Sequence, residues 1–243
     1  MNLSEWQANW DRLGKDDPLW VVLTDPTKKG GRWDPGEFFA TGEREIADVM
    51  EHISTLAVEV TRGRALDFGC GVGRLSRALS EHFTEVHGVD ISPSMIAHAK
   101  SFNQDRPNCH FHLSASDRLE VFEKGSFDFV YSNIALQHIE PKYSKQYVRE
   151  FFRVLRPGGI AVFQLVSATL FRRLFPRWFV ESYRRVHHRG RAFIGMFGIP
   201  EREVTRVVGE AGGKVLSVER QLTGWRWVSL KYCVAKSNTC SVG

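Results

Sequence analysis

ALDFGCGVGRLS, running from Ala65 to Ser76, is the stretch from which the rest of the chain can be read. It begins as an apolar strand, Ala65 to Phe68, breaks into glycines at alternate positions (Gly69, Gly71 and Gly73) and continues as a helix. Glycine takes backbone dihedrals closed to other residues and leaves no Cβ atom in the way of a ligand. The helix that follows offers unpaired N–H groups and the positive end of its dipole above the turn. Strand, glycine turn and helix in that order predict a nucleotide or nucleoside site at the carboxyl end of a strand.

The neighbouring residues narrow the ligand. A dinucleotide fingerprint has the form G-x-G-x-x-G, its third glycine letting helix and strand pack closely. Counted from Gly69, the sixth position here is Arg74; Gly73 instead gives G-x-G-x-G, with Asp67 ahead of it. VHGVDIS (Val86 to Ser92) reads as a second strand ending in Asp90, placed to accept hydrogen bonds from both hydroxyls of a ribose, although an ordinary exposed carboxylate would read the same. SPSMIAHAK then opens a helix with Ser92 as N-cap and Pro93 at the first position. HFHLSASD ends a third strand at Ser116 and Asp117, and SFDFVYSNIALQHI (Ser126 to Ile139) is a fourth strand with its exit. RVLRPGGIAVF (Arg153 to Phe163) is a helix, a turn at Pro157-Gly158-Gly159 and a strand.

In order and spacing, these stretches over Ala65 to Leu165 resemble the motifs of the class I S-adenosylmethionine-dependent methyltransferases. The resemblance implies an α/β, Rossmann-like fold with a mostly parallel seven-stranded sheet and a C-terminal antiparallel hairpin. It implies S-adenosylmethionine as cofactor, held by Gly69, Gly71, Gly73, Asp90, Ile91 and Met95. Ser116 and Asp117 would form the adenine-contacting corner, and Asn133 lies in the motif leading over the reacting methyl group. Asp67 reads two ways, as a ligand contact or as a carboxylate fixing the glycine turn through backbone N–H groups. Cys70 reads as a small apolar filler beneath the turn.

Around this core, residues 1–43 form an aromatic-rich segment and residues 44–243 the methyltransferase domain, with a substrate-cap insertion at about 167–199. Trp6, Trp10, Trp20, Trp33, Phe38 and Phe39 fall among prolines and glycines that break the first segment into short helices and turns. By the resemblance, such a segment folds over the cofactor. GEFFATGE (Gly36 to Glu43) is the expected lid, with Phe39, Thr41 and Gly42 lining the methionine end; packing of the phenylalanines into the core is the competing reading. A helix from Thr41 to Val60 is expected to lead into the first strand. Between Phe171 and Arg191 the insertion carries Arg172, Arg173, Arg177, Arg184, Arg185, Arg189 and Arg191 against Glu181, interleaved with aromatic residues. That pattern suits an anionic substrate, an RNA or an anionic membrane face, or a solvated helix whose aromatic side packs inward. A helix from Pro200 to Gly212-Gly213 and two strands joined around Thr223-Gly224 close the chain.

With 243 residues, 42% of them hydrophobic, and a net charge of +5, the chain can hold one α/β domain with additions. No apolar run is long enough for a membrane span. The first residues carry acids and tryptophans where a secretion signal would be apolar. Cys70, Cys109, Cys233 and Cys240 show neither metal-ligand spacing nor a disulfide framework, so a reduced cytoplasmic setting without a metal site is expected.

Transfer to an oxygen gains most from orientation, and a hydroxyl acceptor gains further from a general base. His138, just beyond the fourth strand, is the candidate base and Glu140 its orienting partner; His187 and His188 are rivals, and a His138 that only hydrogen-bonds a loop is the plain alternative. The fourth motif reads Tyr131-Ser132-Asn133-Ile134, without the Asn/Asp-Pro-Pro-aromatic sequence of nucleobase amino-methylating enzymes. This favours O-methylation of a small molecule. The flanking sequences resemble bacterial methyltransferases of sugar pathways, and Trp33, Trp225 and Trp227 would suit the faces of a saccharide. An RNA-modifying methyltransferase using the arginine-rich insertion and a nicotinamide-dependent oxidoreductase are the alternatives.

Overall fold

The computed structural model describes residues 3–167, 194–223 and 227–238. Helices α1 (Leu3–Asp16) and α2 (Pro18–Val22) and a 3₁₀ turn (Pro26–Lys28) lead to the long helix α3 (Pro35–Thr55). There follow β1 (Arg64–Phe68), α4 (Arg74–Leu79), β2 (Glu85–Asp90), α5 (Pro93–Phe102), β3 (Cys109–Leu113) and β4 (Phe127–Ser132). A 3₁₀ turn (Leu136–His138), α6 (Pro141–Val154) and β5 (Leu155–Ser167) come next, and then α7 (Glu201–Glu210), β6 (Gly213–Thr223) and β7 (Trp227–Lys236).

The strands form one seven-stranded sheet in the order β3-β2-β1-β4-β5-β7-β6. Neighbours from β3 to β5 pair in parallel, and β7 runs antiparallel between β5 and β6. This is the α/β sheet with a terminal antiparallel hairpin expected from the sequence. Successive strand residues point to opposite faces, and the core divides accordingly. Leu66, Val130, Ala161 and Phe163 pack with Phe151 of α6 and Val204 of α7. Ala65, Phe129, Ile160 and Val162 pack with Ile46 and Val49 of α3 and Leu75 of α4. Helices therefore cover both faces, and the strand ends are left free to build a site. Among the described residues, no helix is long and apolar enough to cross a membrane.

Several boundaries differ from the sequence expectation, each for a local reason. The long helix starts at Pro35, not Thr41, because the Asp34 side chain accepts the Glu37 N–H at 2.8 Å and Pro35 fits the first helical position. It runs through residue 43, so GEFFATGE is the first two turns of a helix rather than a separate lid. β3 ends at Leu113, where its register with Asp90 of β2 runs out, and Ser116 and Asp117 fall in the loop beyond. β5 begins before Pro157-Gly158-Gly159, with Gly158 at φ 76° and a register shift against β4 between Phe127 and Phe129. The arginine-rich stretch from Phe171 to Arg191, His187, His188 and Trp225 lie outside the described residues, as does the side chain of Trp227.

Candidate active site

The carboxyl ends of β1, β2 and β4 surround a cavity of about 130 Å³. Gly69 and Gly71 form its floor, with Asp90 and Ile91 at the end of β2 and Met95 on α5 beside them. Asn133, Ile134, Ala135 and His138 wall the β4 side, and Ser114, Leu119 and Tyr147 the side toward β3. Leu3, Trp6 and Trp10 of α1, with Val21 and Val22 of α2, close it.

The glycine turn is held in a shape only glycine takes easily. Gly71 sits at φ 53°, and a Cβ there would come within 2.8 Å of the Val22 side chain. Its N–H donates to one Asp90 carboxylate oxygen at 3.0 Å, and the Ser92 N–H donates to the other at 2.8 Å. Asp90 thus ties the turn to the end of β2. Burial holds its carboxyl above the usual carboxylate range, with the Ser92, Gly71 and Ile91 N–H groups pulling the other way. With these three N–H groups accepted, part of the carboxylate's acceptor capacity remains for a ligand hydroxyl.

Asp67 lies on the other side of the turn and does not line the cavity. Buried at 1% exposure, it accepts the Ser76 hydroxyl at 2.7 Å, and its Oδ1 has no hydrogen-bond partner. Burial pushes its carboxyl up to about 7. On the same sheet, burial and the Arg64 guanidinium push His87 down to about 4. The two act oppositely on stability. A raised Asp67 contributes stability in acid that is lost as pH rises from about 4 to 7; a depressed His87 contributes stability above about 6.5 that is lost as pH falls toward 4. Asp67→Asn should therefore gain on the wild type in urea midpoint as pH rises across 4 to 7. Parallel pH curves would show that Asp67 does not titrate in that range.

The match to known proteins falls on this same core. Residues 65–159 fit the family model described as a methyltransferase domain, a span that contains the glycine turn, Asp90 and the β4 exit. Over these residues the chain matches a methyltransferase domain. The chain is 31% identical to malonyl-acyl-carrier-protein O-methyltransferase of Salmonella typhimurium over 51% of its length and 49% of that protein's. It is 31% identical to trans-aconitate 2-methyltransferase of Deinococcus radiodurans over 55% of its length and 49% of that protein's. The chain thus spans about half the length of these curated relatives. Magnesium protoporphyrin IX methyltransferase of Synechocystis superposes with a TM-score of 0.64 at 17% identity, covering 96% of this chain and 99% of that one. The cyclase SpnF superposes with the same TM-score, 0.64, at 15% identity, covering 94% and 96%. At such identities the likeness is one of fold, and a shared fold does not by itself fix the reaction.

The expected site residues are brought to the cavity unevenly. Asn133 and His138 reach the cavity, but Phe39, Thr41, Gly42, Gly73, Ser116, Asp117 and Glu140 do not line it. Phe39 packs with Leu13, Leu19 and Met95 under the N-terminal helices. Thr41 accepts from the buried Arg74 guanidinium at 3.2 Å, and Gly42 lets α3 approach the Arg74 backbone. Arg74 also pairs with Glu45 at 2.8 Å, and Glu45 accepts from Asn133 at 2.6 Å and Tyr131 at 2.7 Å. Thr41 and Arg74 are thus linked through Glu45 to Asn133 on the cavity wall. Gly73 is the left-handed N-cap of α4, packed on Phe111 and Asn103. The Ser116 carbonyl accepts the Tyr147 hydroxyl at 2.7 Å, while Ser114, two residues earlier, is the one that lines the cavity.

His138 is 8% exposed and fully engaged. The Ile134 N–H donates to Gln164 Oε1 at 3.2 Å, and Gln164 Nε2 donates to Gln137 Oε1 at 2.9 Å and to Ser229 Oγ at 2.7 Å. Gln137 is thereby turned so that its amide donates to His138 Nε2 at 3.1 Å, and His138 Nδ1–H donates to the Gly195 carbonyl at 2.6 Å. The ring is neutral, with its proton on Nδ1, and burial lowers its pKa further. Glu140 takes neither nitrogen; it precedes α6, with Lys142 at 3.9 Å. Gln137 and Gln164 were not marked by any sequence pattern. Nor was Ile134, whose φ of 62° is unusual for a β-branched residue and is braced by Gln164.

The residues present fit an adenosyl cofactor. A turn floored by glycine leaves room for the ligand, Asp90 offers free lone pairs, and a buried indole N–H on the wall lacks an acceptor.

Proposed function

We propose that this chain transfers the methyl group of S-adenosylmethionine to an oxygen of a small-molecule acceptor. The observation that carries this reading is the clasp of Asp90 on Gly71 and Ser92 at the edge of the cavity. The cofactor supplies an electrophilic methyl group on its sulfonium sulfur. The chain's own work is then to hold the donor, orient the acceptor and exclude water. Leu3, Trp6 and Trp10 serve the last of these as a cover. The direct test is calorimetric titration with S-adenosylhomocysteine. Micromolar binding supports the reading; no binding, with NADH binding instead, overturns it. Cofactor binding without turnover of any acceptor would leave a non-methylating protein of the same fold.

His138 is the proposed base. Its lone pair sits on Nε2 beside the cavity, where acceptance from Gln137 must give way for a proton to be taken. His138→Ala should lower turnover by about 10²-fold or more while S-adenosylhomocysteine binds nearly as before. Because burial lowers the pKa of His138, the wild-type rate should stay level through neutrality and fall only in acid. Unchanged turnover would remove His138 from the mechanism.

A saccharide hydroxyl is the first acceptor class to screen. The arginines between Phe171 and Arg191, with Trp225 and Trp227, suit the groups and ring faces of a sugar. Trp33 gives no support, since it bonds the Leu23 carbonyl and packs edge-on to Phe38. The engaged lone pair of His138 favours a second class, carboxylic acids, which are already ionised at neutral pH and need no base. Relatives named for malonyl and trans-aconitate groups point the same way. A cytoplasmic setting rests on cysteine usage alone.

A further inference from the structure

We propose that the indole N–H of Trp6 donates a hydrogen bond to the bound adenosyl cofactor, which makes α1 a binding element of the site and not only its cover. The inference rests on the cavity being the cofactor site. Trp6 is 4% exposed and forms part of the cavity wall, yet its Nε1 is buried without a hydrogen-bond partner. Buried indole N–H groups nearly always find an acceptor. The neighbouring tryptophans illustrate it: Trp20 donates to the Asp25 carbonyl at 2.8 Å and Trp33 to the Leu23 carbonyl at 3.2 Å.

The position of Trp6 is fixed from several sides. Its ring stacks on Trp10 at 6.5 Å and meets Phe197 at 6.1 Å. One residue on, Gln7 donates to the Ile91 carbonyl at 3.1 Å, beside Asp90. Asp11 accepts the Ser94 N–H at 2.8 Å, and its carbonyl accepts the Ser94 hydroxyl at 3.0 Å. α1 is therefore docked on the β2 end and on α5, the same elements that present Asp90 and Met95 to the cavity. A ligand in that cavity brings the acceptor Trp6 lacks, since S-adenosylmethionine carries ribose oxygens, adenine ring nitrogens and, at its amino-acid end, a carboxylate.

Trp6→Phe keeps an aromatic ring and removes the donor. Calorimetry would compare wild type and variant with S-adenosylhomocysteine and with 5′-methylthioadenosine, which lacks the amino-acid end. The expected result is binding weakened about 3- to 10-fold. Weakening with both ligands assigns the bond to the nucleoside; weakening with S-adenosylhomocysteine alone assigns it to the amino-acid end. In the ¹H–¹⁵N spectrum, the indole signal that Trp6→Phe deletes should move downfield when wild type is saturated. The ligand-free variant should melt within a few degrees of wild type, because the donor it loses was unsatisfied. Equal affinities for both ligands with an unmoved indole signal would overturn the proposal. Failure of S-adenosylhomocysteine to bind wild type would instead overturn the cofactor reading on which it rests.

Discussion

Asp90→Ala is expected to weaken S-adenosylhomocysteine binding by at least about 10²-fold, the largest single effect on the ligand. Two losses combine. The carboxylate would no longer accept from the ribose hydroxyls, and hydrogen bonds to a charged group contribute about 1.5–3 kcal/mol each. The Gly71 and Ser92 N–H groups, now held at 3.0 and 2.8 Å, would also lose their shared acceptor, loosening the turn that floors the cavity. Together these exceed the roughly 2.7 kcal/mol that a hundredfold change requires. Asp90→Asn separates the contributions: it keeps one side-chain acceptor for the turn and removes the charge, so an intermediate loss of about 10-fold is expected. Calorimetry reads both variants. Asp90→Ala binding within threefold of wild type would mean that the carboxylate faces the cavity without serving the ligand.

Asp90 was legible in the sequence because everything that defines it is local: a strand, a carboxylate at its end, and a proline-started helix behind it. The glycine turn was legible for the same reason, and the mostly parallel sheet with its terminal hairpin followed from motifs in a known sequence order. The covering segment was not. Its placement depends on contacts such as Gln7 to Ile91 and Asp11 to Ser94, which join positions more than eighty residues apart. Aromatic content marked residues 1–43 as a cover, but whether Trp6 or Phe39 faces the ligand is set by how α1 and α3 rotate. With the helix starting at Asp34-Pro35 rather than Thr41, Phe39 lies within its first two turns and packs with Leu13 and Met95. The glutamine chain was illegible for a different reason. Gln137 and Gln164 are unremarkable in sequence, and only the pairing of β4 with β5 brings Gln164 under Ile134.

Gly69→Ala is expected to lower stability by about 2–4 kcal/mol and to take cofactor binding down with it. The backbone at Gly69 lies at φ 74°, where an L side chain is strained, and an added Cβ would come within 2.3 Å of the Ala135 Cβ. The Gly69 N–H is held by the Val89 carbonyl at 2.8 Å, so the turn resists moving away. The strain must therefore pass to the β4 exit, where Ile134 already sits at φ 62°. Ala135→Gly in the same chain removes the facing methyl group and leaves the dihedral strain, so it should restore about half of the lost stability. By itself Ala135→Gly should be mildly destabilising, which makes the expected coupling a rescue and not a sum. Urea unfolding of the two single variants and the double variant measures it. Strict additivity would mean that the glycine turn and the β4 exit do not press on each other. A rescue would establish that the floor of the site and the Asn133-to-His138 wall are one mechanical unit, so that a change in either is felt at the ligand through the other.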